Sequence, residues 1–223
     1  MPTKIDAELA LLYLSSPTLP IGSFAYSQGL EKAIENELVT DRQTLKAWCE
    51  DALRFGLARL DLRYLSHLHE AFKQADYARL NYLNAEVLAS RETSELLQEE
   101  INLGGSLDRL LRLQSLSVDS AYPLKKKSFL YSFAHAAIAL EMPIPQMHLS
   151  FVWSWLENQT AVACKSIPLG QTDAQAVLLQ SRALIKVLID EQPSSSEPIF
   201  GSLPGQALLS AMHETQYSRL FRS

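Results

Sequence analysis

The sequence predicts an all-α fold, a single bundle of about eight helices that ends in a C-terminal tail. Three observations carry that prediction. Apolar residues recur every three to four positions along most of the chain. Only eight of the 223 residues are glycine, against many leucines and alanines, a balance that favours helix over sheet. No stretch alternates apolar and polar residues between hairpin turns, and no internal repeat is found. The expected organisation is a bundle over residues 1–191, a linker at 192–204, and a helix with a partner-binding tail at 205–223.

Taken in order, Ile5, Leu9 and Leu12 fall at helical spacing and predict a first helix, which Pro17 stops. Leu30, Ala33 and Ile34 predict a short helix reaching Glu37. Thr40 to Gln43 reads as a capping box; from there Leu45, Trp48, Ala52 and Phe55 trace one face of a long helix that only Gly56 interrupts before residue 74. Asp76 is the next expected N-cap, and Thr93 or Ser94 caps a further helix containing Gly104 and Gly105, which mark either a close helix approach or a break. Residues 125–140 predict a helix whose interior, Phe129 to Ala139, is apolar on nearly all sides and belongs in the middle of a bundle. Pro143 and Pro145 make a turn, residues 147–166 form a helix, and Thr172 to Gln175 cap its successor to about Asp190. Residues 192–204, rich in Pro and Ser, read as a linker. Residues 206–217 make one last helix.

Composition bounds the function. The chain carries a net charge of −5 with a pI near 5.6, which argues against a general nucleic-acid binder. No apolar run is long enough to span a membrane. Lys4, Asp6 and Glu8 are wrong for a signal peptide. Two cysteines, Cys49 and Cys164, make no disulfide framework, so a cytoplasmic location is expected.

Leu19 to Glu31 is the stretch the chain is organised around. Pro20 fixes its own φ, and Gly22 two residues on opens φ values closed to other residues. The stiff corner carries Ser23, Tyr26, Ser27 and Gln28 as hydrogen-bonding groups beside Leu19, Ile21 and Phe24. Two readings follow: aromatics that plug the core at a helix–helix corner, or a shaped surface for a partner. Lys165 sits in the last turn of its helix, where a cation meets exposed carbonyls. Near the end, His213 and Tyr217 are four apart and Glu214 and Tyr217 three apart, so they cluster if the helix continues. Arg219 and Arg222 flank Leu220 and Phe221, an interface-like composition.

Ser16 to Glu31 (Ser-Pro-Thr-Leu-Pro-Ile-Gly-Ser-Phe-Ala-Tyr-Ser-Gln-Gly-Leu-Glu) resembles the N-terminal signature of the urease accessory protein F (UreF) family. Lys165 to Gln171 is similar to its central motif, and His213 to Ser223 to its C-terminal signature. Three blocks in family order cover essentially the whole chain. The resemblance implies a dimeric urease maturation chaperone that bridges UreD (also called UreH) and the GTPase UreG, so that nickel reaches apo-urease, with a possible influence on the GTPase cycle. Pro20, Gly22, Phe24, Tyr26, Gln28 and Glu31 with Lys165 and Gln171 would then face a partner or second copy. His213, Glu214, Tyr217, Arg219 and Phe221 would meet UreD.

Other chemistry is thinly encoded. His67 and His69 are two apart on a helix and cannot share an ion without unwinding. His135 reads as a core histidine. No phosphate-binding loop appears, and Cys164 with Lys165 has no histidine nearby in sequence to activate it. No cofactor is expected. The alternatives to an interaction protein are a small helical enzyme using Cys164, His135 or Tyr26, and a nickel carrier using His67, His69 and His148.

Overall fold

A computed structural model describes residues 3–116, 124–192 and 199–222. Among these residues the chain forms ten α-helices and no strand. They are α1 (Lys4–Leu14), α2 (Leu30–Glu35), α3 (Arg42–Asp51), α4 (Asp61–Lys73), α5 (Tyr77–Ala89), α6 (Ser94–Leu113), α7 (Phe129–Ala139), α8 (Ile144–Ser166), α9 (Gln171–Asp190) and α10 (Pro204–His213).

Ten helices agree roughly with the expected eight or so, and part of the difference arises because the long helix after Thr40 is divided. α3 passes into a π-helical segment, Ala52–Leu57, in which the Ala58 N–H reaches back to the Leu53 carbonyl at 3.0 Å. The widened turn ends the α3 register, and α4 starts afresh at Asp61. The capping box is also one residue later than expected. Asp41 is the N-cap, accepting from the Thr44 N–H at 2.8 Å, while the Thr44 hydroxyl accepts from the Asp41 N–H at 3.0 Å. Asp76 and Thr93 do cap α5 and α6. α9 opens at Gly170 with no side-chain cap, so the expected Thr172 cap is not used. Pro145 lies in the first turn of α8 rather than in a turn before it, where a proline loses no hydrogen bond.

α7 and α8 are the two centres of packing. Eight of the eleven residues of α7 are buried, against α4, α5 and α6. α8 meets α1, α2, α3, α4 and α9. Gly104 is the point of close approach: α6 runs through it unbroken, and a Cβ there would lie 2.2 Å from the Lys127 carbonyl oxygen. The Ser132 hydroxyl donates to the Gly104 carbonyl at 2.9 Å across the same contact. α7 begins only after Ser128, which caps it, so Lys125 to Lys127 precede the helix, and Lys127 pairs with Asp108.

α1 forms where expected, but the residues whose spacing predicted it do not face the core. Ala7, Ala10 and Leu14 are buried, whereas Ile5, Leu9 and Leu12 are 66%, 59% and 63% exposed. Of the expected linker, 193–198 lie outside the described residues. Residues 201–203 run across the π-helical segment: a Cβ on Gly201 would lie 3.1 Å from the Phe55 carbonyl oxygen, and one on Gly56 2.6 Å from Leu203 Cδ1. α10 then packs on α2 and α6.

Candidate functional site: a clasp between the corner and the C-terminus

The corner at 19–31 is built from turns that its sequence makes inexpensive. Gly22 (φ 83°) and Gly29 (φ 84°) take left-handed conformations, as glycine does readily. Gln28 also sits there, at φ 55°, so the surrounding bonds must hold it. Its side-chain amide donates to Glu99 Oε1 at 2.8 Å and accepts from the Trp155 indole N–H at 2.7 Å. Asn158 donates to the Tyr26 carbonyl at 2.9 Å, and Asn102 to the Tyr26 hydroxyl at 3.0 Å. α6 and α8 therefore hold the corner between them through amides. Both expected readings of the corner are present at once, with Tyr26 buried and Phe24 63% exposed.

The C-terminal segment closes over the same corner. Gly29 lets the α10 backbone in: a Cβ there would be 3.1 Å from the Gln206 oxygen and 3.1 Å from the Ser210 nitrogen. The Gln206 amide donates to the Gln28 carbonyl at 3.1 Å, and the Thr93 and Ser210 hydroxyls pair at 2.9 Å. Glu31 is the central clasp. Its buried carboxylate lies 2.9 Å from His213 Nε2 and accepts backbone N–H groups from Leu220 at 2.7 Å and Phe221 at 3.0 Å. His213 Nδ1 lies 2.9 Å from Glu95 Oε2, and Arg219 pairs with the same Glu95 carboxylate. The Arg222 N–H donates to the Ala25 carbonyl at 2.8 Å. The Lys165 ammonium stands 5.6 Å from the centre of the Phe221 ring, within cation–π range.

All three sequence blocks thus meet. Glu31, Gln28, Tyr26, Lys165, His213, Arg219 and Phe221 share one contact network. Pro20 and Gln171 are exposed and do not enter it. Tyr217 does not join His213 on a helix face, because α10 ends at His213 and Tyr217 projects fully into solvent. Glu214 turns away to accept from the Ser94 hydroxyl. Residues the sequence did not single out complete the site: Glu95, Glu99, Asn102, Trp155 and Asn158. Only Glu95 carried a local signal, an acid in the first turn of its helix, which the macrodipole alone would explain.

A second charged cluster lies beside the corner. Arg91 Nη2 is 2.8 Å from Asp61 Oδ1 and 2.7 Å from Glu100 Oε2, all three buried or nearly so. Burial works against the Arg91 charge, but Asp61 and Glu100 together outweigh it and hold the guanidinium firmly protonated. Glu100 also accepts the Leu130 N–H at 3.0 Å, tying α7 to the cluster. A cavity of ≈ 140 Å³ lies between this cluster and the corner, lined by Arg91, Asp61 and Glu100 together with Gln28, Glu99, Trp155 and Leu203.

The residues of the enzyme and carrier readings sit apart from this network, Tyr26 excepted. Burial pushes the Cys49 thiol up to about 12 and raises that of Cys164 as well, which disfavours the thiolate a nucleophile needs. His135 stacks on Phe72 at 5.1 Å. His148 approaches the Ser66 hydroxyl at 3.0 Å and His69 the Met142 carbonyl at 3.0 Å. Burial drives His135 and His148 down to about 4 and lowers His69. Among the described residues no group of three or more His, Cys, Asp and Glu side chains is placed to hold a metal ion, and no helix is long and apolar enough to cross a membrane.

The fold and site define a class: an all-helical protein whose main polar network binds its own corner to its own C-terminus. The UreF family model matches residues 39–182. The chain is 44% identical over 226 residues to urease accessory protein UreF of Marinobacter nauticus, covering 100% of this chain and 98% of that one. It is 45% identical over 215 residues to the Chromohalobacter salexigens protein of the same name (96% and 93% covered). It is 44% identical over 223 residues to that of Pseudoalteromonas translucida (97% and 94%). The chain belongs to the urease accessory protein UreF family.

Proposed function

We propose that this protein is a non-enzymatic scaffold of urease maturation. It bridges UreD (UreH) and the GTPase UreG in the cytoplasm, acts as a homodimer, and so promotes nickel insertion into apo-urease while modulating the GTPase cycle. The observation that carries this reading is the clasp. The corner, Lys165 and the C-terminal block, distant in sequence, form one continuous surface. Within these blocks Phe24, Tyr217 and Leu220 are 63%, 105% and 68% exposed, and the Arg219 and Lys165 cations are exposed as well. Exposed aromatics with cations around a rigid, internally satisfied centre are the composition of protein-binding hot spots.

The exposed Ile5, Leu9 and Leu12 stripe of α1 supports the second-copy part of the proposal, since it lies on one helix face and is larger than isolated surface apolar residues require. The corner with Lys165 and Gln171 would receive UreG, and the tail UreD. The test is co-purification with UreD and UreG, read by size-exclusion chromatography with light scattering. A complex containing two copies of this chain is expected. Lys165→Ala and Arg219→Ala should fold normally yet reduce complex formation and urease activation; full activation by both would overturn the assignment. Leu9→Asp should yield a monomer of unchanged helicity.

A further inference from the structure

We propose that His213 is a proton-operated latch on the C-terminal segment, closed while its ring is an imidazolium and released when that proton is lost. The latch adds regulation to the surface proposed above and rests on that reading only for its consequence in assembly.

His213 is fully buried, and each ring nitrogen lies 2.9 Å from a carboxylate oxygen, Nε2 from Glu31 and Nδ1 from Glu95. Ionised carboxylates only accept, and a neutral imidazole has one N–H to give. Both contacts are satisfied together only by the doubly protonated ring. The charged groups facing the ring are Glu31 from α2, Glu95 from α6 and, through Glu95, Arg219 from the tail; Glu214 beside it is occupied by Ser94. Two carboxylates thus meet two cations. Loss of the His213 proton leaves the buried Glu31 carboxylate without its counter-charge, while Arg219 at the surface still pairs with Glu95, and it turns one hydrogen bond into a contact between lone pairs.

Coupling to the tail is direct, because the Glu31 carboxylate that holds the ring also accepts the Leu220 and Phe221 N–H groups. When the ring goes neutral, Glu31 is left as a buried carboxylate without its counter-charge, and the cost of keeping it buried favours opening of the tail that covers it. The sign follows from the valence count: the closed clasp uses both ring N–H groups and a neutral ring has only one, so docking weakens as pH rises. The α10 contacts at Gln206 and Ser210 involve no titrating group. Release therefore begins with residues 213–222.

The test is amide hydrogen exchange on the full chain from about pH 6 to about pH 8.5, corrected for the intrinsic pH dependence of exchange. Protection of Leu220, Phe221 and Arg222 should fall by up to roughly tenfold per pH unit, while amides of α7 stay constant. In His213→Gln the same amides should be poorly protected at every pH. Flat protection in the wild type, or an unchanged slope in His213→Gln, overturns the latch. Should that variant not fold, the ¹⁵N spectrum of the wild-type His213 ring decides: both nitrogens protonated near pH 6 supports it, and a neutral ring beneath a protected tail refutes it. No partner enters these measurements, so failed co-purification with an intact pH response would remove the scaffold reading and leave the latch, and the converse holds.

Discussion

Two charge clusters, one around Arg91 and one around His213, are built for different ends. Arg91 with Asp61 and Glu100 joins helices of the body only, and its cation has no accessible neutral form. Glu31 with His213, Glu95 and Arg219 joins the body to the C-terminal segment, and it hangs on a histidine, the side chain that changes charge nearest neutral pH. The first cluster holds the body together permanently. The second is a joint. The comparison teaches that the C-terminal segment is attached by bonds whose loss need not unfold the rest.

The comparison can be broken most severely at Arg91. Arg91→Ala would leave Asp61 and Glu100 buried without a counter-ion and should cost about 3–5 kcal/mol of global stability, read by denaturant unfolding; a cost below about 1 kcal/mol would mean the cluster is effectively solvated. Acid gives the next effect. Because burial holds His135 and His148 down to about 4 while the unfolded chain titrates near 6.5, the unfolded state binds protons that the folded state refuses. Stability is full above about pH 6.5 and declines as pH falls toward about 4, by up to about 1.4 kcal/mol per pH unit for each histidine. Thermal melts across that range check this, and the sign is opposite to the alkaline release expected of the tail.

Gly29→Ala sharpens the contrast from the joint side. A left-handed φ costs a non-glycine residue about 1–2 kcal/mol, and the new methyl meets the α10 backbone. The tail amides should lose protection while the unfolding of the body shifts little; a cooperative loss of both would show that α10 is integral to the core. Lys165→Ala has the smallest expected effect on stability, a few tenths of a kcal/mol from the helix end and the Phe221 contact, with its larger consequence in partner affinity.

The all-α class was legible because helical spacing and caps such as Asp76 and Thr93 are local signals. Where local signals compete, the sequence misleads. α1 is apolar on two sides, and the helical spacing of Ile5, Leu9 and Leu12 does not tell which side is buried. The smaller Ala7 and Ala10 pack inward instead, since α8 comes close enough for Ser150 to donate to the Leu11 carbonyl at 3.3 Å. The long helix after Thr40 hid a π-helical segment that nothing but Gly56 marked. For the site, each block could be read alone, but the bond that joins them spans 182 positions between Glu31 and His213. Nothing in either neighbourhood announces it, and Glu95, Asn102 and Trp155 matter only because the fold brings them there.

The central claim, that corner and tail act as one surface, is tested most directly by Glu31→Gln. This change keeps the shape of the clasp and removes its charge. Calorimetric titration of UreD and of UreG with UreD present, against wild type and Glu31→Gln at matched helicity, should show both interactions weakened by at least about tenfold, equivalent to about 1.4 kcal/mol. Wild-type affinity for both partners would contradict the account.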